Sequence, residues 1–140
     1  SCTIDFLKAT NGQGTQNVTY GDKNLRFAGN SDLVIYCGHD GLMDFNVNVD
    51  YKENTKKVDC MILACYSKEY FKNDIKSAGA NPLLWTTHLM APEAYTVNAA
   101  IDSWLKGETG LQIEERAAQA YNQYQKCGIK GARNLFTTGF

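Results

Sequence analysis

Short apolar runs that alternate with amphipathic stretches constrain the fold of this chain more than any other feature. The runs have the length and composition of strands buried on both faces of a sheet, and they lie at residues 32–37, 58–64 and 83–86. Helical spacing of apolar residues marks the stretches 67–78, 92–105 and 113–124. This alternation over short connections predicts an α/β fold, a three-layer sandwich with a mostly parallel sheet and right-handed crossovers.

Three further segments carry weaker patterns. Residues 18–27 alternate apolar and polar side chains around residues 21–24, which indicates a hairpin. Strict alternation over residues 45–51 predicts a peripheral strand with one wet face and one packed face. Residues 134–138 fit a last strand. All of these segments belong to the same predicted domain.

Length and charge restrict the class of protein. With 140 residues, 44% of them hydrophobic, residues 1–140 fit one domain with a single core. The net charge of -1, with both signs interspersed, argues against a nucleic-acid partner. No apolar run approaches the roughly 20 residues that span a bilayer, so we expect a soluble chain without a membrane partner, with the cytoplasm slightly favoured. Because the first residue is Ser1, we expect the C-terminal part of a longer precursor.

The five cysteines are an odd number, which leaves at least one thiol unpaired within a monomer. Their spacings do not match common zinc patterns, so no metal site is expected. A redox or metal site built from Cys37, His39, Cys60 and Cys65 is a weaker alternative, because the odd separation of Cys60 and Cys65 points them to opposite faces of a strand.

Every histidine of the chain follows a predicted strand. His39 comes after the first buried run, Cys65 ends the second, and His88 comes after the third. Ligand crevices of parallel sheets lie beyond the carboxyl ends of the strands, so we expect these three residues to share one crevice. A cysteine attacks as its thiolate, which a nearby imidazole and a helix N-terminus stabilise. The alternative is an inert Cys65 thiol and a His39 that merely occupies a turn.

An apolar strand ending in His39-Asp40-Gly41, followed by an apolar strand ending in Ala64-Cys65, resembles the caspase-like cysteine peptidases, with Cys65-Tyr66-Ser67 nearest to bacterial CHAT-type members. The resemblance implies a peptide or protein substrate, no cofactor, His39 as general base and acid, and Cys65 as nucleophile. It also implies the amide of Cys65 as one oxyanion donor and that of Gly41 as the other. In the family the glycine directly follows the histidine, whereas Asp40 intervenes here.

Three other residues are candidates for substrate binding: Asp40, His88 and Trp85. Asp40 could orient His39, bind a basic side chain or cap the turn, and we favour the cap. His88 could line a pocket or serve as an ordinary hydrogen-bonded residue. Trp85 could wall an apolar pocket, although such residues more often complete a core.

The resemblance also predicts a gap in the sheet. The family's central first strand precedes the histidine strand, but residues 1–14 are poorly strand-like. We therefore expect the domain to lack or borrow an N-terminal central strand, supplied by an N-terminal segment or a second chain. The alternative function is a non-catalytic module, caspase-like or flavodoxin-like, that binds a ligand or a partner.

Overall fold

In the computed structural model of the chain, residues 1–54 and 56–140 are described. The helices and strands follow in the order α1 Cys2–Thr10, β1 Gln16–Tyr20, β2 Lys23–Phe27, β3 Leu33–Cys37, β4 Asp59–Leu63, α2 Ser67–Ala78, β5 Asn81–Thr86, α3 Ala94–Leu105, α4 Gly110–Gln125, α5 Ile129–Leu135 and β6 Phe136–Thr137. Helices and strands alternate from β4 to α3, as the apolar runs predict, and α4 and α5 then follow α3 directly before β6.

The main sheet has the order β3-β4-β5-β6. β3, β4 and β5 are parallel, and the two-residue strand β6 pairs antiparallel with β5. β1 and β2 form a separate antiparallel hairpin, in register from Gln16 and Phe27 to Tyr20 and Lys23. The sheet is therefore mixed, and the hairpin predicted over residues 18–27 is confirmed.

Two apolar clusters cover the two faces of the sheet. Alternation along β4 sends Met61 and Leu63 into one cluster and Cys60 and Ile62 into the other. The first cluster is completed by side chains of α3, α4 and α5, and the second by side chains of α1 and α2. These layers establish the α/β class. No helix in the described part of the chain is long and apolar enough to cross a membrane.

Burial of β3 differs from the sequence-based expectation. The apolar run 32–37 predicts a strand covered on both faces, but residues 33–36 of β3 are only partly buried. The reason is position, because β3 pairs with β4 alone and forms an edge of the sheet. The amide of Gly38 donates to the carbonyl of Leu63, and the carbonyl of Asp32 accepts from the amide of Asp59. Successive peptide groups of a strand point to opposite sides. The peptide groups at the odd-numbered positions of β3 therefore face the open edge, namely those of Leu33, Ile35 and Cys37.

The predicted strand at residues 45–51 is wrong. The segment forms no strand with the other described residues, and side chains at the end of α1 bind backbone groups at its C-terminal end. Asn11 accepts from the amide of Lys52 at 2.8 Å and donates to its carbonyl at 2.9 Å, while Gln13 donates to the carbonyl of Asp50 at 2.9 Å. Three of the four alternating apolar residues nevertheless pack: Val49 is buried in the cluster beneath α1 and α2, and Val47 and Tyr51 are partly buried against it, whereas Phe45 is exposed.

The sequence-based prediction also missed two helices. α1 begins after Ser1, whose hydroxyl accepts from the amide of Ile4, and it covers one face of the sheet with Phe6 and Leu7. α5 occupies residues that separate α4 from the last strand, and it leaves only Phe136–Thr137 of the predicted strand 134–138. α3 begins at Ala94, two residues after Pro92.

Candidate functional site

The register of the sheet brings the ends of β3 and β4 to one edge. Cys37 pairs with Leu63, and Gly38 donates to the carbonyl of Leu63 at 3.1 Å. His39 and Cys65 each lie two residues beyond this pair, on neighbouring parallel strands that are about 4.8 Å apart. His39 and Cys65 therefore follow equivalent positions of adjacent strands, as predicted from the strand ends.

The turn at Cys65 is tight and left-handed. Tyr66 has φ 48° and ψ 32°, a conformation that is uncommon for a residue other than glycine, and α2 begins directly after it at Ser67. The hydrogen-bond contacts of Cys65 Sγ are with the amide and the carbonyl of Met90, both at 3.5 Å. The thiol therefore lies between the start of α2 and the loop that follows β5.

Two buried hydroxyls hold this turn in place. Ser67 donates its hydroxyl to the carbonyl of Ile62 at 2.7 Å and accepts from the amide of Thr86 at 2.9 Å. Thr86 Oγ1 donates to the carbonyl of Ala64 and accepts from the amide of Ser67 at 3.2 Å. Backbone groups freed by the end of β4 are satisfied by side chains, which fixes the position of Cys65. Sequence reasoning missed this pair, because Ser67 reads as an ordinary first residue of a helix.

His39 is held from two sides. Asp44 Oδ2 lies 2.5 Å from His39 Nε2, and the hydroxyl of Tyr36 donates to the carbonyl of His39 at 2.7 Å. A short 3-10 turn at Gly41–Met43 returns the chain so that Asp44 reaches the ring. The side chain of Asp44 is 63% exposed, and it is paired with the imidazole. A carboxylate five residues after a histidine in a short loop is the signal that could have found it.

Asp40 caps the loop after β3. Its side chain is fully buried, and Oδ1 accepts from the amide of Leu42 at 2.9 Å. Its Oδ2 has no hydrogen-bond partner among the described residues, and burial raises the pKa of this carboxyl. This is the favoured cap role, and it leaves no carboxylate surface for a basic substrate.

Gly41, the candidate oxyanion donor, is buried at the start of the 3-10 turn. Its carbonyl accepts from the amides of Asp44 and Phe45, both at 3.1 Å. An added Cβ would lie 2.7 Å from Phe45 Cζ and 3.1 Å from Thr3 Oγ1, so close packing accounts for glycine at this position. Gly41 therefore shapes the loop that carries Asp44.

His88 reaches the same edge as Cys65, but Trp85 does not. The carbonyl of His88 accepts from the amide of Tyr66 at 3.0 Å, and the two rings lie 6.1 Å apart. Trp85 is fully buried beneath α2, and its Nε1 donates to the carbonyl of Gly139 at 2.9 Å. Trp85 thus has the core role that the sequence also allowed.

The remaining cysteines lie in different surroundings. Cys60 is fully buried, and burial, followed by the charge of Asp59, raises its pKa to about 12. Burial, followed by the charge of Glu93, raises the pKa of Cys37. Among the described residues all five cysteines are free thiols, and no group of three or more His, Cys, Asp or Glu is arranged to hold a metal ion.

Comparison with known protein families, with curated proteins and with solved structures finds no match for this chain.

Proposed function

We propose that the chain is a cysteine-dependent hydrolase of peptide bonds, with Cys65 as nucleophile and His39 as general base and acid. Cys65 Sγ bonds to the acyl carbon while its proton passes to His39, and the C–N bond breaks as His39 protonates the leaving amine. Water then attacks the thioester, which releases the acid and regenerates the thiol. The Cys65 amide would hold the oxyanion in both steps.

The observation that carries this proposal is the equivalent placement of His39 and Cys65 beyond the paired residues Cys37 and Leu63. Asp44 supports it, because a carboxylate on Nε2 fixes the orientation of the ring and stabilises the imidazolium that forms during the reaction. The start of α2 beside Cys65 supports it as well, since helix N-termini favour a thiolate.

The same features support membership of the caspase-like superfamily, nearest to the bacterial CHAT-type domains. Histidine follows one parallel strand and cysteine follows its neighbour, in a sheet covered by helices on both faces. Membership of this superfamily would give the chain a three-layer sandwich fold and a peptide or protein substrate. The proposed mechanism requires no cofactor.

A peptide acyloxymethyl ketone tests the proposal. We expect it to alkylate Cys65 at least tenfold faster than the more exposed Cys2, Cys37 and Cys127, measured by peptide mapping. His39→Ala should remove this selectivity while leaving iodoacetamide labelling of the exposed cysteines unchanged. Equal and slow labelling of all these thiols in the unmodified chain would contradict a catalytic Cys65.

A non-catalytic binding module is the second candidate, and one observation favours it. Cys65 Sγ contacts the backbone of Met90, an arrangement that suits a structural thiol. In this case Cys65→Ala would leave peptide or ligand binding intact, which isothermal titration with a substrate-like peptide would measure.

We also propose that a further strand completes the sheet along β3, supplied by an N-terminal segment or a second chain. The peptide groups of Leu33 and Ile35 face an open edge, beside a cavity of about 570 Å³ between β2 and α3. Four apolar side chains of the hairpin are exposed, Val18, Tyr20, Leu25 and Phe27, and the last two line this cavity. Amide hydrogen exchange of Leu33 and Ile35 should slow when the missing strand is bound, and fast exchange in every assembly would contradict this proposal.

A further inference from the structure

A cavity of about 320 Å³ opens beside the loop that contacts Cys65. Its six lining residues are His88, Leu89, Cys127, Gly131, Asn134 and Leu135. The first two belong to the loop after β5, Cys127 lies in the connection between α4 and α5, and the other three belong to α5. The volume is at the lower end of the range of about 300–1,000 Å³ found for ligand pockets, so it suits one side chain better than a cofactor.

Two contacts place this cavity next to the proposed nucleophile. The carbonyl of His88 accepts from the amide of Tyr66 at 3.0 Å, and Met90 contacts Cys65 Sγ at 3.5 Å. The segment 88–90 therefore touches the Cys65 turn, while His88 and Leu89 form one wall of the cavity. When the acyl carbon of a substrate lies at Cys65, an adjacent side chain of that substrate can reach this wall.

Thr87 ties the two walls of the cavity together. Its amide donates to the carbonyl of Leu135 at 2.9 Å, and its hydroxyl donates to the carbonyl of Asn134 at 2.8 Å. His88 Nδ1 lies 2.8 Å from the same hydroxyl, and this contact orients the imidazole ring at the cavity wall. The cavity is thus held open by fixed backbone on both sides.

The lining carries no carboxylate, ammonium or guanidinium group. Arg133 of α5 is paired with Glu115, with 2.7 Å between Nη2 and Oε1. A charged side chain in the cavity would lose water without gaining an opposite charge, whereas an aliphatic stem would contact Leu89 and Leu135. A polar tip could hydrogen-bond to Asn134 or His88.

We propose that this cavity binds the substrate side chain that precedes the scissile bond and selects an uncharged residue there. The inference rests on the proposed hydrolase function. It makes His88, Leu89 and Asn134 specificity-determining residues rather than parts of the proton relay. Under this proposal no residue of the site binds a basic substrate side chain, which is the role that was considered for Asp40.

The experiment uses peptide acyloxymethyl ketones that differ only in the residue next to the ketone, namely Leu, Gln, Lys, Glu or Gly. We expect the Leu and Gln probes to alkylate Cys65 at least tenfold faster than the Lys and Glu probes. Gly131→Leu should fill the cavity, because the helical Gly131 has open space around an added Cβ. It should slow the Leu and Gln probes about tenfold and leave the Gly probe unchanged. Gly131→Ala, which adds only a methyl group, is the matched control.

The outcomes separate the inference from the proposed function. Selective labelling of Cys65 at rates that ignore the side chain of the probe would overturn the cavity as the specificity site and leave the hydrolase proposal standing. An equal loss for the Leu and Gly probes in Gly131→Leu would overturn it in the same way. No selective labelling of Cys65 by any probe would overturn both.

Discussion

Asp44 Oδ2 lies 2.5 Å from His39 Nε2, although the two residues are separated by a loop that also contains a buried carboxylate. Asp40 precedes Asp44 in that loop, and its carboxyl is fully buried beneath it. Two aspartates only four positions apart therefore have different roles. Asp44 orients the imidazole, and Asp40 builds the turn that allows it to do so.

Asp44→Asn should slow the alkylation of Cys65 by an acyloxymethyl ketone by about tenfold or more, because the ring of His39 loses a charged partner. The measurement is the labelling rate as a function of pH. Asp50→Asn is the matched control, since it removes an exposed carboxylate that is paired with Lys52 and not with His39. Equal rates for Asp44→Asn and the unmodified chain would show that the contact has no part in the reaction.

Tyr36→Phe should lower the free energy of unfolding by about 1 kcal/mol and slow labelling of Cys65, because it removes the donor to the His39 carbonyl. Tyr51→Phe removes a hydroxyl that donates to Asp74 at 2.7 Å, so it should cost similar stability but leave labelling unchanged. Urea denaturation and the labelling rate give the two quantities. If both variants slowed labelling equally, the effect would reflect stability rather than the position of His39.

Ser67→Ala should lower the free energy of unfolding by about 1–3 kcal/mol, because it leaves the buried carbonyl of Ile62 and the amide of Thr86 without a partner. Ser77→Ala is the control on the same helix, where the side chain is exposed and the change should stay within about 0.5 kcal/mol. Urea denaturation of both variants provides the comparison. If Ser67→Ala lowered the free energy of unfolding no more than Ser77→Ala, the hydroxyl pair of Ser67 and Thr86 would not stabilise the turn.

Two aspartates should change stability with pH in opposite directions. Burial raises the pKa of folded Asp40 above its unfolded value, so its contribution to stability is lost as pH rises through the folded pKa. Asp40→Asn should therefore gain stability over the unmodified chain at pH 7, and the gain should shrink as pH falls toward 4. Urea denaturation at several pH values measures this difference. A pH-independent difference would contradict a buried titrating carboxyl.

Asp32 supplies the control for this prediction. A hydrogen bond and the charge of Lys56, with a smaller part from Arg26, lower its pKa, so its stabilising contribution is present above the unfolded pKa and is lost as pH falls through the folded pKa. Asp32→Asn should be less stable than the unmodified chain at pH 7, with the gap closing below about pH 4. The same sign for both variants would mean that neither difference arises from titration of the substituted side chain.

Local patterns were sufficient for the elements that bury a regular face. α2 spans the predicted residues 67–78, and its C-cap Gly79 has φ 71°, which glycine adopts at little cost. Residues 60–63 of the central strand β4 are apolar and fully buried, so their pattern and their burial agree. Residues 45–51 carry an equally regular alternation but form no strand among the described residues; Gln13 binds the carbonyl of Asp50, and Asn11 binds the backbone of Lys52 directly after them. Alternation reports which side chains pack, and it does not report whether a partner strand exists.

The sequence by itself determined the α/β class, the hairpin, and the positions of His39, Cys65 and His88 after strands, because these depend on periodicity and glycine placement along the chain. Only the tertiary structure decided that β3 lies at an edge, that Trp85 is core, and that Asp44 rather than Asp40 holds the imidazole. These three outcomes depend on strand order and loop closure. Both bring together residues that local sequence patterns leave independent.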